Sequence, residues 1–392
     1  MSKPTDELTT EEAHESRQFQ RQSPERFARL ALIAVTIITS AVLGYLPILP
    51  MEVYEASLLG LAGLWVVGLM YLRSLKHALL KKQFAPVKES AERTIVTETM
   101  PQSQAAIASS GVLHALHSHP LASYFIIAYA ITWGLSIPTT LGAWGLMPGD
   151  WTIFFIIGTF GPFIASFIMT YITQGRKGVS RLQGSIKNWH VGGRWLLFAF
   201  AALPALIMLG IISMPGSLAG YQGLSPMVLV SYPVTLVAIW FGGGGLDEEA
   251  GWRGFALPRL QSRYGPLTAA LYLGVAHCFW HGEQFLTPAQ GGGPGTGLTP
   301  FLVNLPIFLV MVLAITVILN FLFNRTRGSV FTAISAHASI DAPQAALLAF
   351  FPAVGVTSML VGASIGLGVA ALLILVLTHG RLGYQRPPIT TS

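Results

Sequence analysis

Charged residues are scarce in this chain of 392 residues: Asp, Glu, Lys and Arg make up only 10% of it, whereas hydrophobic residues make up 52%. Soluble domains carry about 25% charged residues, so this composition excludes an ordinary soluble protein. Cysteine is almost missing, because Cys278 is the single one. An internal disulfide and a thiolate zinc cluster are therefore excluded. The formal net charge of +6 is spread between apolar runs, which gives no basic face for a nucleic-acid partner.

Long apolar runs are what the sequence has instead. Each is near the roughly 20 residues that a membrane-spanning helix needs. Two runs lie at 27–49 and 56–72, and eight more lie at 121–146, 153–173, 195–214, 229–258, 266–285, 300–323, 329–351 and 358–379. The fold class predicted is an all-α polytopic membrane protein with about ten transmembrane helices. Residues 1–82 form a cytoplasmic tail and a two-helix membrane extension, residues 83–120 a polar linker, and residues 121–392 an eight-helix core.

The basic residues give this topology an orientation. Cytoplasmic loops are enriched in Lys and Arg. If the N-terminus is placed inside and the helices alternate, all 23 basic residues except Arg253 fall on the inner side or at its edge, and the outer loops contain none. We therefore expect a multi-pass protein of the plasma (inner) membrane with both termini in the cytoplasm.

A few polar residues lie inside the predicted spans, where each charge costs about 2.5–3.5 kcal/mol on insertion scales. Three spans carry them, at helical i, i+4 spacing: Glu249 and Arg253, His277 and His281, His337 and Asp341. The Glu249–Arg253 spacing predicts an ion pair, and Glu248 shares a helix face with Trp252. At ~1.5 Å per residue, Glu248, His281, His337 and Asp341 all lie roughly 15–25 Å from the inner edge. Such a common depth indicates one site rather than scattered helix-locking groups.

These residues resemble the motifs of one family of intramembrane proteases, the CAAX prenyl protease and bacteriocin-processing family. Glu248, Glu249 and Arg253 fit its E-E-x-x-x-R motif, His281 fits F-x-x-x-H, and His337 with Asp341 fits H-x-x-x-N/D. The resemblance covers residues 121–380 and implies an eight-helix protease core. Two positions differ from the pattern: His277 stands where the family usually has Phe, and Asp341 where the eukaryotic members have Asn.

The resemblance implies an enzyme that hydrolyses peptide bonds of membrane-associated or C-terminal, CAAX-like peptide substrates. Glu248 would activate the water with help from His281, and His337 and Asp341 would face the oxyanion. Glu249, Arg253 and His277 would support them. An ionised Asp cannot donate to an oxyanion, so Asp341 would have to be protonated, orient His337 or bind a metal.

Two alternatives stay open at this point. In the first, the hydrolysis is metal-assisted, with Zn²⁺ held by Glu248, His281 and His337. In the second, the same buried polar residues serve a proton- or cation-coupled transporter. Transporters often show broken helices in matching positions of two repeats. This sequence shows one clear interruption, the four glycines at 242–245, for which a kink beside Glu248 is predicted.

One further pattern has two interpretations. Gly362, Ser364 and Gly366 fit the nucleophile-elbow pattern G-x-S-x-G of serine hydrolases, and the same glycines fit the helix-packing pattern G-x-x-x-G. Because no strand is predicted before them, close helix packing is the preferred interpretation. The stretch 175–191 is basic and amphipathic, which is typical of a helix lying on the inner leaflet.

Overall fold

The computed structural model describes residues 111–221 and 223–385. Within these residues the chain is helical without any strand, and its sole β-type contact is an isolated bridge between Gly293 and Gly297. The predicted all-α fold is confirmed. The predicted tail, the two-helix extension and most of the predicted linker lie outside the described residues; the last part of the linker contains a short helix, α1 (Gly111–Ser118).

The remaining helices follow in chain order. They are α2 (Pro120–Ala143), α3 (Thr152–Gly158), α4 (Gly161–Ile186), α5 (Gly193–Leu197), α6 (Leu203–Ile212), α7 (Val228–Phe241), α8 (Leu246–Gly251), α9 (Leu257–Tyr264), α10 (Pro266–Trp280), α11 (Thr299–Arg325), α12 (Val330–Leu347) and α13 (Val356–Thr378). A π-helical turn (Phe198–Ala202) joins α5 to α6, and a second (Trp252–Ala256) joins α8 to α9. Short 3₁₀ turns follow α10 and α12.

Each of the eight apolar segments predicted for the core overlaps one or more helices, and the segment 229–258 is interrupted at 242–245. Among residues 111–221 and 223–385, six helical stretches are long and apolar enough to cross a membrane: 120–143, 152–186, 193–212, 228–264, 299–325 and 356–378. Helices α10, with 15 residues, and α12, with 18, are the other two. Helix α10 carries His277 and ends just before His281, and α12 carries His337. The polar side chains of α12 make it less apolar than α11 and α13.

Helix α4 is longer than the predicted span and bends within its length. The span predicted to end at residue 173 continues to Ile186 through Gly175, whose φ of 60° and ψ of −160° are not helical. A positive φ is strained for any residue with a Cβ, so glycine suits this bend. The bend lies where the composition changes from apolar to basic, and it turns the basic stretch away from the line of the apolar half.

Two apolar clusters form the core. One contains buried residues of α6, α11 and α13, such as Ile207, Ile318 and Leu367. The other surrounds the second π-turn and draws on α2, α4 and α10, with Tyr124, Trp252 and Trp280 fully buried. The second cluster is the one that encloses the polar residues described below.

Glycines bring α6 and α13 into direct backbone contact. A Cβ added at Gly362 would lie 2.7 Å from the Ile211 Cα, and Cβ atoms at Gly210 and Gly366 would collide with the carbonyl oxygens of Gly362 and Leu206. Small residues that let helix backbones approach are typical of membrane helix pairs. Ser364 donates to the Leu360 carbonyl, 2.6 Å away. The preferred packing interpretation of this pattern is thus confirmed. We call this contact the glycine seam (Gly210, Gly362 and Gly366).

Candidate functional site

A glycine break between α7 and α8 positions the first acidic residues. Gly243 and Gly244 have φ values of 130° and 120°, which side chains with a Cβ rarely adopt. Their backbone N–H groups donate to the Asp247 carboxylate at 2.9 and 3.0 Å, so Asp247 closes the turn and α8 begins. The predicted kink beside Glu248 is confirmed.

Close packing on the other side of α8 holds this short helix in place. A Cβ at Gly251 would collide with the Tyr124 hydroxyl and would lie 2.6 Å from the Pro162 carbonyl oxygen. Helices α2 and α4 therefore pack directly on the backbone of α8. Since α8 has only six residues, these contacts fix the direction in which Glu248 and Glu249 project.

Glu249 forms a fully buried ion pair with Arg253 and also contacts His337. Its Oε1 lies 2.7 Å from Arg253 Nη1 and 2.7 Å from His337 Nδ1, and neither Glu249 nor Arg253 is exposed. Arg253 Nε also donates to Asn320 Oδ1 on α11, at 3.3 Å. The ion pair predicted from the i, i+4 spacing is confirmed. It joins α8 to α12 and to α11.

Glu248 faces His277, on α10, and His281, the residue that follows the end of α10. Its Oε2 accepts a hydrogen bond from Trp252 Nε1 at 3.1 Å and lies 2.7 Å from His277 Nε2. Its Oε1 lies 3.7 Å from His281 Nε2. The two imidazoles are themselves in contact, with 3.2 Å between their Nε2 atoms. One carboxylate oxygen is therefore held by an indole and an imidazole, while the other faces a second imidazole across a gap.

His337 connects this group to Asp341. His337 Nδ1 contacts Glu249, and its Nε2 lies 3.4 Å from Asp341 Oδ2. The Asp341 side chain is 31% exposed, compared with 4% for Glu248 and 5% for His337. A Cβ at Gly244 would lie 2.7 Å from Asp341 Oδ2. The cluster is therefore most open beside Asp341 and the glycine break.

The structure brings together all the residues that the sequence singled out for this site: Glu248, Glu249, Arg253, His277, His281, His337 and Asp341. His277, predicted only as a supporting residue, makes a shorter contact with Glu248 than His281 does. The sequence did not predict that Asn320 accepts a hydrogen bond from Arg253, or that Asp247 accepts hydrogen bonds from the glycine break. Asn320 is a fully buried amide in a 27-residue apolar helix, which is the signal that would have identified it.

Three of these residues have the donor set of a metal site. Glu248, His277 and His337 each offer one ligand atom, and these atoms lie within 4.8 Å of one another. Imidazole nitrogen and carboxylate oxygen are ligands that zinc accepts. A histidine that binds a metal usually donates its other ring nitrogen to a carboxylate, as His337 does to Glu249. The residues present thus suit a divalent ion, with His281 beside them.

Comparison with known proteins agrees with this geometry. Residues 228–343 match the family described as Type II CAAX prenyl endopeptidase Rce1-like. A curated relative, CAAX prenyl protease 2 of Methanococcus maripaludis, is 27% identical over 169 residues, which are 40% of this chain. The match spans 60% of the length of that relative. The resemblance that the three motifs carry is confirmed, and the matched family segment contains every residue of the cluster.

Proposed function

With this family match as the premise, we propose that the chain is an intramembrane endopeptidase that cuts membrane-associated or C-terminal, CAAX-like peptides. The observation that carries the proposal is the contact between the buried Glu248 carboxylate of α8 and the imidazoles of His277 and His281 at the C-terminal end of α10. Peptide hydrolysis needs an activated water and a donor for the oxyanion. The cluster offers groups for both tasks in a compartment that opens beside Asp341.

Glu248 is the proposed base. Trp252 and His277 hold its Oε2, which leaves Oε1 facing His281 Nε2 across 3.7 Å. Two atoms at this separation can both hydrogen-bond to one water molecule, since each bond needs about 2.8 Å. Glu248 Oε1 takes a proton from that water while the water oxygen attacks the scissile carbonyl carbon. Glu248 then returns the proton to the leaving amine.

His337 is the proposed oxyanion donor. Its Nδ1 lies 2.7 Å from the Glu249 carboxylate, an acceptor that also contacts Arg253, so the proposal places a proton on Nδ1. A second proton on Nε2 makes the ring a cation that donates toward the oxyanion. Asp341, 3.4 Å from Nε2, supports this charged form and orients the ring. Among the roles that were open for Asp341, this geometry favours the orienting one.

A divalent metal ion is compatible with the same site. Glu248, His277 and His337 would hold it, with His281 adjacent, and zinc when bound would polarise the attacking water. In that case Glu248 serves as a ligand, and Glu249 still fixes the His337 ring through Nδ1. Metal content measured directly on the purified protein separates this mechanism from the one that uses Glu248 as the base.

The basic residues of the inner loops support a location in the plasma membrane with both termini in the cytoplasm. The proposed substrates are peptide segments that reach the site from the bilayer or the cytoplasm, next to Asp341. Cysteine is rare in the chain, so single cysteines can be introduced into the loops. Labelling them in intact cells would show which loops are accessible from outside and would test this orientation.

The test of the proposed activity is peptide cleavage by the full chain purified in detergent. We would assay quenched peptides, including ones with a C-terminal cysteine-aliphatic motif, with wild type, Glu248→Gln and His281→Ala. Glu283→Gln is the matched control, because Glu283 is also buried but makes no hydrogen bond to the cluster among the described residues. We expect cleavage to vanish in the two site variants and to persist in the control.

Cleavage that is equal in all four proteins would contradict the proposal. Proton and cation flux in liposomes, with the same variants, would then test the transporter alternative. In a second experiment, cleavage is measured after a zinc chelator is added and again after zinc is added back. Loss and recovery of cleavage would support the metal-assisted mechanism, and insensitivity would support Glu248 as the base.

A further inference from the structure

The basic half of α4 and the loop after it carry charges that the proposed reaction does not use. Five basic residues lie on this segment, and no Asp or Glu occurs anywhere between Asp150 and Asp247. All five are exposed: Arg176, Lys177, Arg181, Lys187 and Arg194. We call residues 175–194 the basic arm.

The basic arm has a defined inner face. Gly178 and Leu182, four residues apart, are buried, and Leu182 Cδ1 would lie 2.6 Å from a Cβ at Gly254. At the end of the arm, Ser329 Oγ donates to the Asn188 carbonyl at 2.6 Å. The arm is therefore held against the second π-turn and the start of α12. Its charged side chains are left on the outward face.

None of the five basic side chains pairs with a carboxylate in the part of the chain that the structure describes. Arg181 donates to the Gln174 amide oxygen at 3.1 Å, and Arg194 lies over the Trp195 ring at 4.9 Å. Both contacts are with neutral groups. The positive charge of the arm is therefore not compensated within this region.

Exposed aromatic and aliphatic side chains border the arm on both sides. Tyr171, one turn before the bend, is 58% exposed, and Leu197, just after Arg194, is 68% exposed. Trp189, within the arm, is 56% exposed and contacts the His190 ring. Exposed Trp beside Lys and Arg, next to an apolar surface, is typical of the headgroup level of a bilayer. This combination of exposed cations and exposed apolar side chains suits the level of the lipid phosphates.

We propose that the basic arm is a binding surface for anionic phospholipid headgroups, with Arg176, Lys177, Arg181, Lys187 and Arg194 contacting the phosphates. The unpaired charges, the buried opposite face and the bordering apolar side chains argue for this ligand over an acidic protein. The inference does not depend on the peptidase activity. It also explains why the chain bends at Gly175, since the bend lays the basic half along the membrane surface.

The test compares two double variants that remove the same charge from the proposed inner side. Lys177→Gln/Arg181→Gln changes the arm, and Arg263→Gln/Arg381→Gln changes two exposed arginines outside it, one at the end of α9 and one after α13. The full chain is placed in bilayers with spin-labelled phosphatidylglycerol or spin-labelled phosphatidylcholine. Electron spin resonance then gives the association of each lipid with the protein.

We expect wild type to prefer phosphatidylglycerol and the arm variant to lose that preference, by up to about fivefold for each charge removed. The preference of wild type should also fall in 1 M salt, where the Debye length is about 3 Å. Lys177→Arg/Arg181→Lys should behave as wild type. An equal loss in the two double variants would overturn the inference, because the general positive charge would then suffice. An unchanged arm variant that is folded by circular dichroism would overturn it as well.

Discussion

The glycine seam and the carboxylate–histidine cluster solve the same problem in opposite ways. Lipid tails are as apolar as the helices, so burial of apolar surface does not by itself drive helices together in a bilayer. The seam uses the smallest side chains, and backbones of α6 and α13 touch. The cluster joins α8, α10 and α12 through charged and hydrogen-bonded groups. One region holds helices and can do nothing else, whereas the other also holds reactive groups in a defined geometry.

The difference should appear when each region is broken. Damage to the seam should change stability and leave the chemistry of the remaining folded protein intact. Substitutions in the cluster should lower both the stability and the activity. A second substitution in the cluster that restores the stability should not restore the activity.

Arg253→Met should be the most damaging single change. It leaves the Glu249 carboxylate buried without its cation, which typically destabilises a protein by about 3–5 kcal/mol. Thermal unfolding in detergent measures the loss, and cleavage should be abolished. The double variant Glu249→Gln/Arg253→Met removes both charges, so we expect much of the stability to return while activity stays absent. Activity that recovers together with stability would show that the pair only holds the helices.

Gly366→Ala should test the seam. The added Cβ would collide with the Leu206 carbonyl oxygen, and overpacking of this kind costs about 1–3 kcal/mol. The matched control is Gly368→Ala on the same helix, because nothing lies within 4 Å of a Cβ there. We expect a lower unfolding temperature for Gly366→Ala alone, with unchanged cleavage per folded molecule. Equal unfolding temperatures in the two variants would contradict the close approach of α6 and α13.

His277→Phe places at this position the residue that the family usually has. It removes the 2.7 Å contact with Glu248 Oε2, and a hydrogen bond to a charged group contributes about 1.5–3 kcal/mol. We expect a fall in kcat, because Glu248 Oε2 keeps its hydrogen bond from Trp252 but loses the one to His277, so the proposed base is held less firmly. We expect little change in KM. Zinc content of the purified protein should fall as well if the ion is held as proposed. Wild-type kcat in this variant would assign the water-activating role to Glu248 and His281 alone.

Several features of the site were predictable because they depend on spacing along one helix. The Glu249–Arg253 pair and the common depth of the polar residues follow from helical geometry, and the break at 242–245 follows from four consecutive glycines. The sequence did not predict that His277 would lie closer to Glu248 than His281 does. His281 comes one residue after α10 ends at Trp280, so its position depends on how the chain leaves the helix.

Contacts between distant segments were the other kind of miss. The Arg253–Asn320 bond joins residues that are 67 positions apart, and no pattern in either helix specifies it. The π-turn at Trp252–Ala256 adds a further change, since it alters the helical register between the cluster and α9. The bend in α4 belongs to the same group: the composition indicates where the apolar half stops, but the non-helical backbone angles of Gly175 decide that the chain bends there.

Ser364→Ala should have the smallest effect of all, and for that reason it sharpens the contrast between the two regions. Ser364 fits a serine-nucleophile pattern in the sequence, but it lies on α13 between the seam glycines Gly362 and Gly366, and its hydroxyl donates to the Leu360 carbonyl of its own helix. A hydroxyl bound in this way has no base to activate it, and alanine removes no contact between helices. We expect unchanged cleavage and a change in unfolding free energy within about 0.5 kcal/mol. A loss of cleavage in Ser364→Ala that matches the loss in Glu248→Gln would move the chemistry from the cluster to the seam and would reverse the assignment of the two regions.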